Sequence, residues 1–181
     1  QPAFPAICLI VSGGHTSLSL MRGHGNYKLI GSTLDDAAGE AFDKVAKILN
    51  LGYPGGPAIS AAAEMKYQIS NHKSQMQLPR PMIDSNDFNF SFSGLKTAVL
   101  YKVRQQVAGS RRQAPAIAAE FQQAVVDVLA AKTIKAARTY SVKSIMLGGG
   151  VAANKLLRRR LQSAVRKELS AVCCQLPAAS H

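Results

Sequence analysis

Three glycine-rich turns hold the residues best suited to chemistry: Ser12-Gly13-Gly14-His15-Thr16, Pro54-Gly55-Gly56-Pro57 and Gly148-Gly149-Gly150. Glycines leave backbone N–H groups uncovered, and neighbouring Ser and Thr hydroxyls add donors, so such turns can cradle a phosphate. The third turn joins an apolar run to an amphipathic stretch, and a strand–glycine–helix order offers an anion the positive end of a helix dipole. Asn154 stands where that helix begins. It can cap the helix or contact a ligand, and capping is the commoner role for such an Asn. The first turn taken alone also reads as an ordinary hairpin loop.

A second constellation lies at 36–49. Asp36, Glu40 and Asp43 fall on one helical face, where carboxylates can accept hydrogen bonds from paired hydroxyls of a ligand. The competing reading is an ion-paired, solvated face, with Glu40 matched to Lys44 and Asp43 to Lys47; spacing alone favours it. Gly39 inside the same helix costs about 1 kcal/mol relative to Ala, which implies that something approaches the backbone closely there. No Ser-His-Asp order, Cys-His pair or Walker A pattern is present, since "SGLKT" lacks the preceding glycine of a P-loop.

The elements that must carry these turns follow from periodicity. Runs near 6–11, 16–21 and 28–32 read as a strand meander. "TLDDAAGEAFDKVAKILNLG" switches to helical period, with Asp35 or Asp36 as the cap and Ala38, Phe42, Val45 and Leu49 as the buried stripe. A second helix opens at "PGGPAIS", and residues 71–90 read as a polar, aperiodic surface excursion. A third helix follows Ser93, and a long helix is expected at about 115–139. A short strand precedes the three glycines. An amphipathic helix with Leu157, Leu161, Ala164 and Val165 on one side comes next, and "AVCCQL" reads as a last strand. Strands first and then alternating α and β predict an α/β layer architecture.

Composition narrows the class. The chain has 181 residues, 47% hydrophobic and 18% charged, a globular balance without any run long enough to span a bilayer. Its opening "QPAFPAICLIV" has neither a basic leader nor an initiator Met, so it reads as a piece of a longer protein. The three cysteines, Cys8, Cys173 and Cys174, give no disulfide framework and point to a reducing cytoplasm. They and the four histidines show no metal-ligand spacing. The net charge of +12 is uneven: residues 1–100 carry eight basic and seven acidic side chains, residues 101–181 fourteen and three. A basic half with 6% aromatics and no Trp suits a phosphate backbone, although charge alone fits an acidic partner equally well.

Together, "LIVSGGHT", "DDAAGEAFDKVAKIL", "YPGGP", "FNFSFSGLKT" and "LGGGVAANKLLR" resemble the TsaD (Gcp, YgjD) family of bacterial type, in order and over nearly the whole chain. The resemblance implies a ribonuclease-H-like lobe of the actin/Hsp70/sugar-kinase (ASKHA) superfamily, a mixed sheet with flanking helices, as a single partial domain of a two-lobed protein. It implies transfer of a threonylcarbamoyl group from threonylcarbamoyl-adenylate to N6 of the adenosine next to the tRNA anticodon. By motif position it makes Ile10, Val11, Ser12, Gly13, Gly14, Asp43, Gly56 and Asn154 substrate contacts, with Glu40 a weaker candidate; no catalytic residue is assigned.

The resemblance also implies a nucleotide ligand, threonylcarbamoyl-adenylate or ATP, and one divalent metal ion, iron or zinc, in the complete protein. The family's metal ligands, a His-x-x-x-His pair before the first strand and an Asp after the last, fall outside this chain, so the fragment is expected to be inactive alone. Implied partners are tRNA, through the basic helix "KLLRRRLQSAVRK", and TsaB-like and TsaE-like helper proteins, with no membrane. An exposed interlobe face would favour self-association. The alternative is a non-catalytic nucleotide-binding or partner-docking module of the same fold, against which the intact "DDAAGEAFDK" and "GGGVAAN" motifs argue. An endopeptidase reading rests on the absent His pair, and a kinase reading on a catalytic acid that the sequence does not show.

Overall fold

The structure, a computed structural model, describes residues 2–69, 76–105, 113–169 and 173–175. Alternation in "TSLSLM" and the near-continuous apolar run "AICLIV" produce two strands of different burial. β1 (Ala6–Val11) lies in the middle of the sheet; β2 (Thr16–Gly23) and β3 (Asn26–Ser32) follow as a meander. β4 (Ser144–Gly148) pairs in parallel with β1, and β5 (Cys173–Gln175) with β4, giving the order β3-β2-β1-β4-β5. Register stacks buried side chains in rows across three strands, Leu20–Ile7–Ile145 and Leu18–Leu9–Leu147. The opposite face, with Cys8, Ile10, Ser17, Ser19 and Met146, is only half-buried. Antiparallel on one side of β1 and parallel on the other, this is the ribonuclease-H-like strand order.

Between β3 and β4 run four helices, α1 (Ala38–Ile48), α2 (Gly55–Ile69), α3 (Ser93–Gln105) and α4 (Ala114–Thr139); α5 (Lys155–Glu168) follows β4. The expected stripes are buried: Ala38, Phe42 and Val45 on α1, Ile117, Phe121, Val125, Val128 and Leu129 on α4, and Leu157, Leu161, Ala164 and Val165 on α5. Leu49 is only partly buried, just past the end of α1. α4 is buried on most sides and packs against α2, α5 and β1.

One expectation fails. Neither Asp35 nor Asp36 caps α1, whose first residues are preceded by Ala37. Asp35 instead caps α3 from across the fold, accepting from the N–H groups of Phe92 (2.8 Å) and Ser93 (3.3 Å) and from the Ser93 hydroxyl (2.7 Å). Partial burial pushes the Asp35 carboxyl up, but the hydrogen bonds from Ser91, Phe92 and Ser93 outweigh it and hold the group below its ordinary value. Asp36 binds Lys44 at 2.7 Å and Lys96 at 3.4 Å.

Of the stretch 71–90, residues 71–75 lie outside the described ones. Residues 76–90 run along α4 and back to the sheet. The Leu78 N–H and Arg80 bind Glu120, Arg80 also grips Asp127 (3.1 Å), and fully buried Lys132 reaches Ser85 and Asp87. Phe90 then bridges to the β3 side, its N–H donating to the Ser32 carbonyl (3.0 Å) while its own carbonyl accepts from Leu34 (2.9 Å). This pairs the backbone at the end of β3, around Ser32–Leu34, at the edge of the sheet.

Candidate functional site

β1 and β4 run parallel, yet the chain leaves β1 toward β2 and leaves β4 toward β5, on opposite sides. Such a switch point opens a crevice beyond the carboxyl ends of the two strands, where ligands of α/β folds bind. A cleft of about 1200 Å³ lies there. Gly13 enters it from the loop after β1, and Gly150, Val151, Ala153 and Asn154 from the loop after β4. Asp43 of α1, Gly56 and Ser60 of α2 and Gln122 of α4 complete the near walls; Lys155, Arg159 and Arg160 of α5 line another.

The hairpin turn is built largely to hold α1. Ser12 donates its N–H to the His15 carbonyl (2.8 Å), and its hydroxyl accepts from the N–H groups of His15 (3.1 Å) and Gly14 (3.4 Å). Its carbonyl accepts the Gly39 N–H (3.1 Å), and the Thr16 hydroxyl accepts the Ala38 N–H (2.8 Å). The turn thus satisfies two of the orphan donors at the start of α1, and the Glu40 carboxylate takes the Ala37 N–H at 3.3 Å. What approaches Gly39 so closely is this turn: a Cβ there would sit 2.5 Å from the Ser12 carbonyl oxygen. Gly13 itself faces open space on the cleft side.

Asp43 and Gly55 meet through the same kind of contact. The Asp43 carboxylate accepts the Gly55 N–H (2.7 Å), which fixes the start of α2 and turns Gly56 toward the cleft. Asp43 therefore binds a backbone donor, whereas Lys44 bridges Glu40 (2.8 Å) and Asp36. Glu40 does not line the cleft, nor do Ile10, Val11, Ser12 and Gly14. Val11 is buried under the turn and Ile10 packs on Gly148.

Asn154 caps α5, its carboxamide oxygen accepting from Leu156 and Leu157 N–H at 3.0 Å each. The triple-glycine turn is thus not a free anion cradle at a helix start. A 3-10 turn over Gly150–Ala153 intervenes, and the first donors of α5 already have a partner. Gly149, at φ 91°, is required by β1, since a Cβ would lie 2.3 Å from the Val11 carbonyl oxygen.

Sequence reasoning missed Gln122 and Ser60. The Gln122 side-chain oxygen accepts from the Ser60 hydroxyl (2.7 Å) and from the Asn154 amide (2.8 Å). The signal that could have found it is a Gln buried directly after Phe121 on the face of α4 that carries Ala118 and Val125. Asp127 at the cleft edge is bound by Arg80 and by Gln123 (2.8 Å).

The site can accept an anionic, hydroxyl-bearing ligand. At Gly13, Gly56 and Gly150 a Cβ would meet nothing within 4 Å, so there the cleft walls are backbone with room before it. The cations of α5 lie on a wall separate from the Asp43 carboxylate. The residues do not fit the divalent metal: among the described residues no three His, Cys, Asp or Glu side chains gather to hold one. Among the described residues, too, no helix is long and apolar enough to cross a membrane.

Residues 1–177 match the family described as TsaD: tRNA N6-adenosine threonylcarbamoyltransferase. Curated proteins carrying that name are similar to this chain. The one from Syntrophomonas wolfei is 52% identical over 164 residues, 91% of this chain and 47% of the relative. That from Dehalococcoides mccartyi is 56% identical over 160 residues, 88% and 46%, and that from Thermomicrobium roseum 48% over 197, 98% and 51%. The chain spans about half the length of these relatives. Among solved structures, HypF of T. kodakarensis superimposes with a TM-score of 0.52 at 19% identity, over 85% of this chain and 18% of that one, a likeness of fold. By its strand order, the family match over residues 1–177 and these relatives, the chain has an ASKHA-type ribonuclease-H-like fold and belongs to the TsaD family of tRNA N6-adenosine threonylcarbamoyltransferases.

Proposed function

We propose that this chain is the substrate-binding part of a tRNA threonylcarbamoyltransferase, an acyltransferase that takes its group from threonylcarbamoyl-adenylate. The observation that carries this reading is the convergence of Gly13, Asp43, Gly56 and Asn154, from four separate segments, on one cleft at the switch point of the sheet. In the reaction the N6 amine of adenosine attacks the carbamoyl carbonyl. A C–N bond forms, the acyl–phosphate C–O bond breaks, AMP departs and N6 loses a proton. The chain's own residues hold and orient the donor: glycine backbone lets it approach, Asp43 faces its hydroxyls, and Lys155 balances phosphate charge as it builds on the leaving group. ATP competes for the same cleft.

The same reading gives the chain tRNA as its acceptor partner, TsaB-like and TsaE-like proteins as helpers and the cytoplasm as its compartment. The exposed Arg159 and Arg166 on α5 are the face offered to tRNA phosphates, while Arg158 folds back toward the Ala152 carbonyl (3.4 Å). Calorimetric titration with a non-hydrolysable threonylcarbamoyl-adenylate analogue tests the cleft. Binding to the folded chain that Asn154→Ala and Asp43→Ala both weaken is expected; a folded chain that binds no analogue refutes the reading.

A further inference from the structure

Gln122 is 8% exposed, on α4, and lines the cleft. Its carboxamide oxygen is fixed by two donors, the Ser60 hydroxyl at 2.7 Å and the Asn154 amide at 2.8 Å. Asn154 cannot turn its amide away, because its own oxygen is held by the N–H groups of Leu156 and Leu157. Since an amide carries its acceptor and its donors on opposite atoms, the orientation of Gln122 is settled by this network. Its Nε2 end must point away from Ser60 and Asn154. Among the described residues nothing accepts a hydrogen bond from that nitrogen, and it is not among the side-chain atoms sealed from solvent without a partner. Two donors are thus held in a nearly buried side chain that lines the cleft.

We propose that Gln122 is a ligand-binding residue, donating from Nε2 to an acceptor oxygen of the molecule in the cleft, a phosphate or acyl oxygen of the adenylate. The inference rests on the nucleotide reading above for the identity of that molecule; the donor itself is fixed by the Ser60–Gln122–Asn154 network. Water reaches this donor while the cleft is open, and a ligand that displaces that water must accept from Nε2 or leave it buried without a partner, which costs more than a satisfied bond gains. The same geometry makes Ser60 and Asn154 positioning residues, which lock the amide rather than meet the ligand through it.

The test uses Gln122→Glu. A carboxylate keeps an acceptor for Ser60 and Asn154, so fold and capping of α5 persist, but the donor is replaced by a negative oxygen facing the ligand. The probes are the non-hydrolysable threonylcarbamoyl-adenylate analogue, AMP and adenosine, titrated calorimetrically into wild type, Gln122→Glu and Gln122→Met, with thermal unfolding of each. The expected result is unchanged unfolding of Gln122→Glu with analogue affinity lowered about ten- to a hundredfold. A loss seen with AMP but not adenosine places the acceptor on the phosphate; a loss seen with the analogue alone places it on the acyl group. If Gln122→Glu binds the analogue as wild type does, or if only Gln122→Met loses binding and does so together with stability, Gln122 is structural and the inference falls. Wild type that binds none of the probes refutes the nucleotide reading itself, a different outcome from an indifferent Gln122→Glu chain.

Discussion

Replacing Gly39 or Gly56 by Ala gives opposite outcomes that follow from what surrounds each glycine. Both lie in the first turn of a helix, α1 and α2, where Ala is the better helix former by about 0.5–1 kcal/mol. At Gly56 a Cβ meets nothing within 4 Å, so that preference is realised: Gly56→Ala gains about 0.5 kcal/mol and raises the unfolding temperature by about 1–2 °C. At Gly39 the Cβ would lie 2.5 Å from the Ser12 carbonyl oxygen and 2.8 Å from the Gly13 Cα, both backbone, so the hairpin must move. Such overpacking costs about 1–3 kcal/mol and stretching the Gly39–Ser12 hydrogen bond about 1 more, which exceeds the helical gain. Gly39→Ala therefore loses about 1–3 kcal/mol, or roughly 2–10 °C. Both variants weaken the adenylate analogue, Gly56→Ala by occupying the cleft and Gly39→Ala by displacing Gly13. Differential scanning calorimetry paired with titration reads both quantities. A Gly39→Ala chain as stable as wild type would refute the packing argument, and undiminished analogue binding by Gly56→Ala would remove that wall from the ligand site.

Asp35→Ala removes the cap of α3 and is expected to lower stability by about 1–2 kcal/mol, measured by urea unfolding; an effect below a few tenths of that would show the cap to be idle. The Ser85 hydroxyl first, then the Asn89 N–H and the Lys132 ammonium, hold the Asp87 carboxyl at about 2 against an ordinary 3.8. Its contribution to stability is then complete above pH 4 and is lost as pH falls toward 2. Acid titration of Asp87→Asn should show a shallower loss across that window, and an unchanged slope would contradict the assignment. Charge reversal of Arg159 and Arg166 together should weaken tRNA transcripts and lower the slope of log affinity against log salt by about 2. Equal binding by the reversed chain would take α5 out of the tRNA surface.

The strand meander, the long helix and the stripes of α1, α4 and α5 were legible in the sequence because each follows a single periodicity that burial enforces. The capping of α3 by Asp35 was not, since its partners lie 57 and 58 residues away and local rules assign an Asp to the nearest helix start. Lys132 escaped for a related reason: a lysine in a helical sequence reads as solvated, and only the return of residues 76–90 buries it beside Asp87. Gly13, Asp43, Gly56 and Asn154, named from the motifs, line the cleft, whereas Gln122 lies between Phe121 and Gln123, where a polar residue beside other polar ones gives no signal of its own.

The glycine-rich turns show why motif and mechanism must be separated residue by residue. Two of the three turns mix a glycine that the fold requires with one that it does not, and for the first turn the required glycine is Gly39 of α1, against which it packs. Gly39, Gly55 and Gly149 are each pressed against another backbone at 2.3–2.5 Å, so any side chain there would force segments apart. Gly13, Gly56 and Gly150 line the cleft and would touch nothing in the protein. The first group brings the second into place: Gly39 seats the hairpin on α1, Gly55 seats α2 on Asp43, and Gly149 seats the loop after β4 on β1. The absence of a Cβ at the second group has no explanation in packing, and the space it leaves lies on the walls of one cleft. In the proposed function that space is where the adenylate approaches the backbone.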